Sequence, residues 1–134
     1  MKKDIILPKV EDVGVAVVKE KNQEGGDEWN VYLINFKNEA IEGVLVTSTG
    51  YGELHGEARK TSTLRHFLDT VDAHSFARIE PIQEEVFGLS NEFWLSFYLH
   101  KVMYDKQYIF LAESICETNC IQIPVINKRG VLIK

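Results

Sequence analysis

Between Asn91 and Ala112 the chain reads FWLSFYLHKVMY, then Asp105-Lys106-Gln107, then YIFLA, with apolar residues at nearly every position. The content is aromatic and β-branched rather than rich in Ala and Leu, and Asp105-Lys106-Gln107 is turn-like. The stretch therefore predicts a β-hairpin of two strands buried in a core, with the rest of the chain packed on it.

In chain order, Lys2 to Pro8 is a short opening segment, and the β-branched run Val13 to Val18 ends in charged residues, Lys19 to Asp27. That charged stretch contains Gly25-Gly26 and reads as a solvated loop. Glu28 to Phe36 alternates, with Trp29, Val31 and Leu33 on one face and Tyr32, Ile34 and Phe36 on the other, the pattern of a central strand. Lys37 to Ala40 supplies a turn, and Ile41 to Thr49 pairs back, Val44 and Val46 alternating against Leu45 and Thr47. Glu53 to Lys60 has almost no apolar content and reads as a loop. Leu64, Phe67, Leu68 and Val71 fit helical spacing with Ser62 or Thr63 as N-cap, yet the piece is barely two turns long and its neighbours read as strands. A strand is the expectation, with a short helix over 63–71 as the alternative. Ser75 to Ile82 alternates until Pro81 ends its ladder, and Gln83 to Ser90 links to the hairpin. Ser114 to Asn119 is a loop, Ile121 to Ile126 is a strand confined by Pro124 to an edge or bulge, and Asn127 to Gly130 turns into Val131 to Ile133.

Short strands at about ten-residue spacing, without strand-helix repeats, describe an all-β antiparallel sandwich of about seven to nine strands. The immunoglobulin-like arrangement is the expected one, in a single domain spanning 1–134. A hydrophobic content of 45% over 134 residues suffices for one core without disulfides or metal. The two cysteines, Cys116 and Cys120, lie too close in sequence to bridge two sheets, and their number fits a reducing compartment. No apolar run approaches the roughly 18 residues of a membrane span, and Asp4 to Pro8 is too short for a signal peptide's apolar region. The expected location is the cytoplasm, with no membrane partner. A net charge of -5 argues against nucleic-acid binding by bulk phosphate neutralisation.

The run Trp29 to Asn35, Lys60 to His66, Ile79-Glu80-Pro81-Ile82, Asn91 to Trp94 and the closing Gly130-Val131-Leu132 together resemble a family of short bacterial proteins of unknown function. Some members carry the label of a phenylalanyl-tRNA synthetase subunit. The resemblance covers most of the chain and implies no activity. Of that label, the length leaves room only for an accessory tRNA-contacting module.

The residues themselves name no reaction. Zinc needs four ligands, and no histidine or further cysteine lies near Cys116 and Cys120 in sequence, so these are a loop thiol and a small core residue. The four histidines, His55, His66, His74 and His100, lack the spacing that puts two imidazoles on one face, and His100 is expected to alternate outward from the central strand. Ser48, Ser62 and Ser96 sit in no nucleophile-elbow context. Gly50-Tyr51-Gly52 lacks the third glycine, the lysine and the helix of a phosphate loop, which leaves a turn at a strand end. Glu84-Glu85 solvates a loop. No motif calls for a cofactor or a metal. Among Trp94, Tyr98 and Tyr104 the core takes most, and Trp94 and Tyr98 are the ones an interface would use.

Three classes of function fit. The first is a non-enzymatic binding or assembly module whose partner is a protein or a second copy of the chain, joined through a sheet edge or face. The second is an anion- or RNA-contacting accessory module using Arg59, Lys60, Ser62, Arg65 and His66, the densest cationic and hydroxyl run in an acidic chain. If that run is a strand, Lys60, Ser62, Leu64 and His66 share one face and Arg59, Thr61, Thr63 and Arg65 the other. The third is a small enzyme with a site assembled from distant residues such as His55, Glu57 and Asp69.

Overall fold

The computed structural model describes residues 8–134, so Lys2 to Leu7 of the opening segment lie outside the described residues. Among these are ten strands: β1 (Val13–Lys21), β2 (Asp27–Asn35), β3 (Ile41–Leu54), β4 (Glu57–Lys60), β5 (Leu64–Val71), β6 (Ser75–Ile82), β7 (Ser90–Leu99), β8 (Val102–Phe110), β9 (Ile121–Ile123) and β10 (Lys128–Ile133). The described residues contain no α-helix, only the short 3₁₀ turns Glu84–Gly88 and Glu117–Asn119. The strand reading of residues 64–71 holds, and the alternative helix over 63–71 does not form.

Two antiparallel sheets of five strands pack as a sandwich. The first runs β6-β2-β1-β10-β9; in the second, β4 and β5 follow one another along the same edge of the long β3, which pairs on its other side with β7 and then β8. The shared core takes Val13, Val15 and Val17 of β1 and Val31 and Leu33 of β2 from one side. From the other it takes Val44 and Val46 of β3, Phe93, Leu95 and Phe97 of β7, and Tyr108 and Phe110 of β8. The Tyr108 hydroxyl donates to the Val13 carbonyl at 2.7 Å, a buried tie between the sheets. Burial pushes the Tyr108 pKa well above the usual phenol range. No helix among the described residues is long and apolar enough to cross a membrane.

Several expectations need correction. The 91–112 hairpin turns at His100-Lys101, both at positive φ, not at Asp105-Lys106-Gln107, which lie within β8 opposite Ser96, Leu95 and Trp94. His100 is therefore a turn residue rather than an outward strand residue. Nor is the hairpin buried on both faces, because Trp94 and Tyr98 point away from the core. The doubly buried strand is β1, where Val13 to Val18 are buried at every position. An apolar run at both parities needs apolar cover on both sides, and it finds this in the middle of the first sheet.

The 28–36 and 41–49 strands do not form a hairpin, since β2 and β3 belong to different sheets. Asn35 makes that crossing rigid: its buried amide donates to the carbonyls of Glu39, Val71 and Asp72 and accepts from the Lys37 N–H. The supposed Lys19–Asp27 loop is shorter than expected: β1 runs on through Lys21 and β2 begins at Asp27, and residues 22–26 form a turn in which Asn22 Oδ1 accepts from the N–H groups of Glu24 and Gly26. Glu53 to Lys60 forms a hairpin, and Gly50-Tyr51-Gly52 lies inside β3 rather than at its end. The strand after Cys120 stops at Ile123, the turn occupies Pro124 to Asn127, and Lys128 already belongs to β10. As expected of a proline-marked strand, β9 lies at a sheet edge.

Candidate functional site

Two surfaces gather the chemistry-bearing residues, and a β-bulge creates the first. Between β2 and β6 the register slips after Val31, which pairs with Glu80, while Tyr32 pairs with Arg78. Simple alternation along β6 would send Glu80 outward with Phe76 and Arg78. The extra residue, Ile79, instead turns Glu80 to the same side as Val31, into the gap between the sheets.

There Glu80 meets two residues of the second sheet. Ser48 Oγ on β3 lies 2.5 Å and His66 Nε2 on β5 2.8 Å from the same oxygen, Glu80 Oε1. An ionised carboxylate only accepts, so both partners donate to it. Serine and histidine thus share a carboxylate without touching each other in the order a nucleophile-base pair requires, and this is not the wiring of a hydrolytic triad. Beside them opens a cleft of about 240 Å³. Its floor includes Asn91 and Phe93, and Thr61, Ser62 and Glu85 stand around it. Thr61 seals one wall: its Oγ1 accepts the Gly50 N–H at 2.8 Å and donates to the Ser62 carbonyl at 3.0 Å.

The second surface is the outer face of the second sheet. Residues paired across antiparallel strands share a face. Phe67, Leu45, Ser96 and Asp105 therefore form one row, Arg65, Thr47, Trp94 and Gln107 the next, and Tyr98 stands beside Met103. Phe67 is 67%, Met103 51%, Tyr98 49% and Trp94 47% exposed, a concentration of apolar area that polar sheet faces do not carry. Tyr104 took the other course and stacks on Phe97 at the core, with centroids 5.3 Å apart.

The cationic run is divided between these surfaces. Lys60 is paired with Tyr51 and Arg65 with Thr47, so both share the outer face, whereas Arg59 is paired with Gly52 and holds Glu57 at 3.5 Å on the opposite side. Ser62 stands at the cleft, and His66 is held by Glu80. The distant set His55, Glu57 and Asp69 does not converge. His55 follows the end of β3 at Leu54, while Asp69 is paired with Val44 near its start, about 30 Å away at roughly 3 Å per strand residue.

Elsewhere, His74 bonds Asn38, His100 pairs with Glu39, and Glu84 accepts from the Trp29 indole N–H at 3.0 Å. Cys116 and Cys120 are unpaired, and burial raises the Cys120 pKa, which makes it a poor nucleophile. No group of side chains able to hold a metal occurs among the described residues. Sequence reading missed Glu80 and Ser48 as partners of His66. The only trace of the bulge was the unusual succession of Ile79, Glu80 and Pro81 at the end of an alternating strand.

No protein-family model, curated protein or solved structure matches the chain.

Proposed function

We propose that this protein is a non-enzymatic assembly module, an immunoglobulin-like sandwich that pairs with a second copy of itself through the outer face of the second sheet. The strand order supports the architecture. β1, β2 and β6 lie in the order of immunoglobulin strands A, B and E, and β3, β7 and β8 in that of C, F and G. β5 lies beside β3, on the opposite sheet from strand D of the constant-type domain, and β9 and β10 extend the sheet past β1.

The observation that carries the function is the group of exposed apolar side chains Phe67, Trp94, Tyr98 and Met103 on one sheet face. Aromatic and Met side chains are the types enriched at interface centres. The charges around them favour a copy of the same face. Arg65 lies at the β5 side and Asp105 at the β8 side, one pairing row apart. A two-fold axis along the strands sets β5 of one protomer over β8 of its partner and brings opposite charges together at both margins, as an isologous interface requires.

Light scattering across the micromolar range tests this. The parent should shift with concentration from 15.3 kDa toward twice that mass. The double variant Phe67→Lys, Trp94→Lys should stay monomeric with an unchanged melting temperature. A parent that remains monomeric throughout, or a variant that dimerises as the parent does, removes the proposal.

A further inference from the structure

The cleft beside Glu80 carries charge of one sign only. Ser48 is 5% and Asn91 6% exposed, so the groups that shape it are built into the fold rather than lying on it. Ser48 and His66 both spend their donors on Glu80 Oε1, and Oε2 has no donor among the described residues. The Asn91 amide nitrogen is spent on the carbonyls of Val86 at 3.0 Å and Leu89 at 3.1 Å. Its Oδ1 is thereby turned toward Gly50 in the cleft wall, where a Cβ would stand 3.2 Å away, and has no donor among the described residues. Thr61 is committed on both sides, as described above. What remains unspent deep in the cleft is acceptor, one carboxylate oxygen of Glu80 and the Asn91 carbonyl, while the Ser62 hydroxyl and the Gln83 amide are neutral groups without partners among the described residues and the only charged side chains in the lining are the carboxylates of Glu80 and Glu85. No Lys or Arg lines the cleft, and Leu64, Ile82, Val86 and Phe93 make the rest of its wall apolar.

We propose that this cleft is a receptor for a cationic nitrogen group, an ammonium or guanidinium, carried on an aliphatic stem. The charged head donates to Glu80 Oε2 and Asn91 Oδ1, and the stem lies against the apolar wall, the division of labour that Lys and Arg side chains themselves show. Charge-assisted hydrogen bonds of this kind are the stronger class. The cleft is smaller than the 300 Å³ or so at which drug-sized sites begin, which suits one side chain or a small amine. Two sources share this chemistry: a free alkylamine or alkylguanidine, and a Lys or Arg side chain presented by another protein. This site is separate from the outer face of the second sheet, and its loss would leave self-association intact.

Calorimetric titration of the full chain with butylguanidine and butylurea, and with the tripeptides Gly-Arg-Gly and Gly-citrulline-Gly, tests charge and source together. Saturable binding of the guanidinium member of either pair, with the urea member at least about tenfold weaker, supports the proposal. Binding of the peptide alone assigns the source to a partner's side chain, and binding of butylguanidine alone assigns it to a free small cation. Glu80→Gln should weaken the guanidinium ligand by about tenfold or more, and Phe67→Lys with Trp94→Lys should leave it unchanged. If Glu80→Gln lowers the melting temperature, Ser62→Phe at the exposed rim provides the second reading, and it should block binding in a fully folded protein. Equal binding of urea and guanidinium members, full affinity in Glu80→Gln or Ser62→Phe, or no binding of either cation at millimolar concentration overturns the proposal.

Discussion

Both sheets carry apolar side chains on the face turned away from the shared core, and only one of those faces is covered. On the first sheet Ala16, Val18 and Ile34 are fully buried beneath Ile126 of the β9–β10 turn, with Tyr32, Phe36, Val125 and Leu132 packed around them. On the second sheet Phe67, Trp94, Tyr98 and Met103 stand in the open. The cover is not free. Val125 is held at φ 73°, a left-handed conformation that a β-branched residue adopts only under constraint. Gly130 sits where a Cβ would come within 2.5 Å of the Val17 carbonyl, so only glycine lets β10 lie this close on β1. A polar clasp closes the end: Glu20 accepts from Asn30 at 2.8 Å, from Tyr32 at 2.5 Å and from Lys128 at the start of β10. A chain that accepts backbone strain to shield one outer face and leaves the other bare treats the two faces differently, and the proposed pairing through the second face gives that difference a purpose.

Deleting side-chain volume on the two faces gives the largest contrast. Ile34→Ala, on the covered face, should cost about 3 kcal/mol, the usual loss for truncating a fully buried aliphatic residue. Trp94→Ala, removing a larger group from the bare face, should stay within about 0.5 kcal/mol at concentrations where the protein is monomeric. Urea unfolding midpoints measure both. A Trp94→Ala loss comparable to that of Ile34→Ala would mean the second face is already packed.

The next contrast uses pH. Burial acts to raise the Glu20 pKa, but the hydrogen bonds from Lys128, Tyr32 and Asn30 together outweigh it and hold the carboxyl below its ordinary 4.5. A folded-state pKa lowered in this way contributes stability that is fully present above 4.5 and lost as pH falls through the depressed value. In the parent, stability should therefore drop between pH 4.5 and more acidic conditions by more than in Glu20→Gln. The same clasp, with burial first and the Glu20 carboxylate second, pushes the Tyr32 phenol up to about 12. Identical acid unfolding of parent and Glu20→Gln would show that the clasp does not hold the cover.

How much of this was legible follows from which interactions are local. Alternation in Glu28 to Phe36 separated Trp29, Val31 and Leu33 from Tyr32 and Ile34 correctly, because on each face of β2 the burial is set by side chains two residues apart. The hairpin turn at His100-Lys101 was misplaced because Asp105-Lys106-Gln107 has turn composition, yet Asp105 and Gln107 stand on the bare face and the Lys106 ammonium lies 5.0 Å from the Tyr108 ring. Polar residues in a strand need only a face that tolerates them. The β2–β3 crossing was read as a hairpin because the turn Lys37 to Ala40 is short; what sends the chain to the other sheet is Asn35, whose bonds to Val71 and Asp72 are distant in sequence. Glu80 was passed over for the same reason, since the bulge that re-aims it exists only in the pairing with β2.

The smallest effect, and the finest test of the comparison, is spectroscopic, because the two tryptophans report on opposite environments. Trp29 is buried, edge-on to Phe87 at 5.3 Å with its indole N–H bound to Glu84, while Trp94 stands on the bare face. In Trp94→Phe the remaining emission should resist iodide quenching at every protein concentration. In Trp29→Phe, Trp94 should be readily quenched in dilute solution and become protected as concentration rises through the range where light scattering detects the dimer. Protection requires that a second copy sit on the ring itself, since pairing through a sheet edge would enlarge the particle and leave Trp94 in water. Concentration-independent quenching in a protein that nonetheless dimerises would move the interface from the face to an edge, and β9, at the open side of the first sheet, would be the strand to examine first.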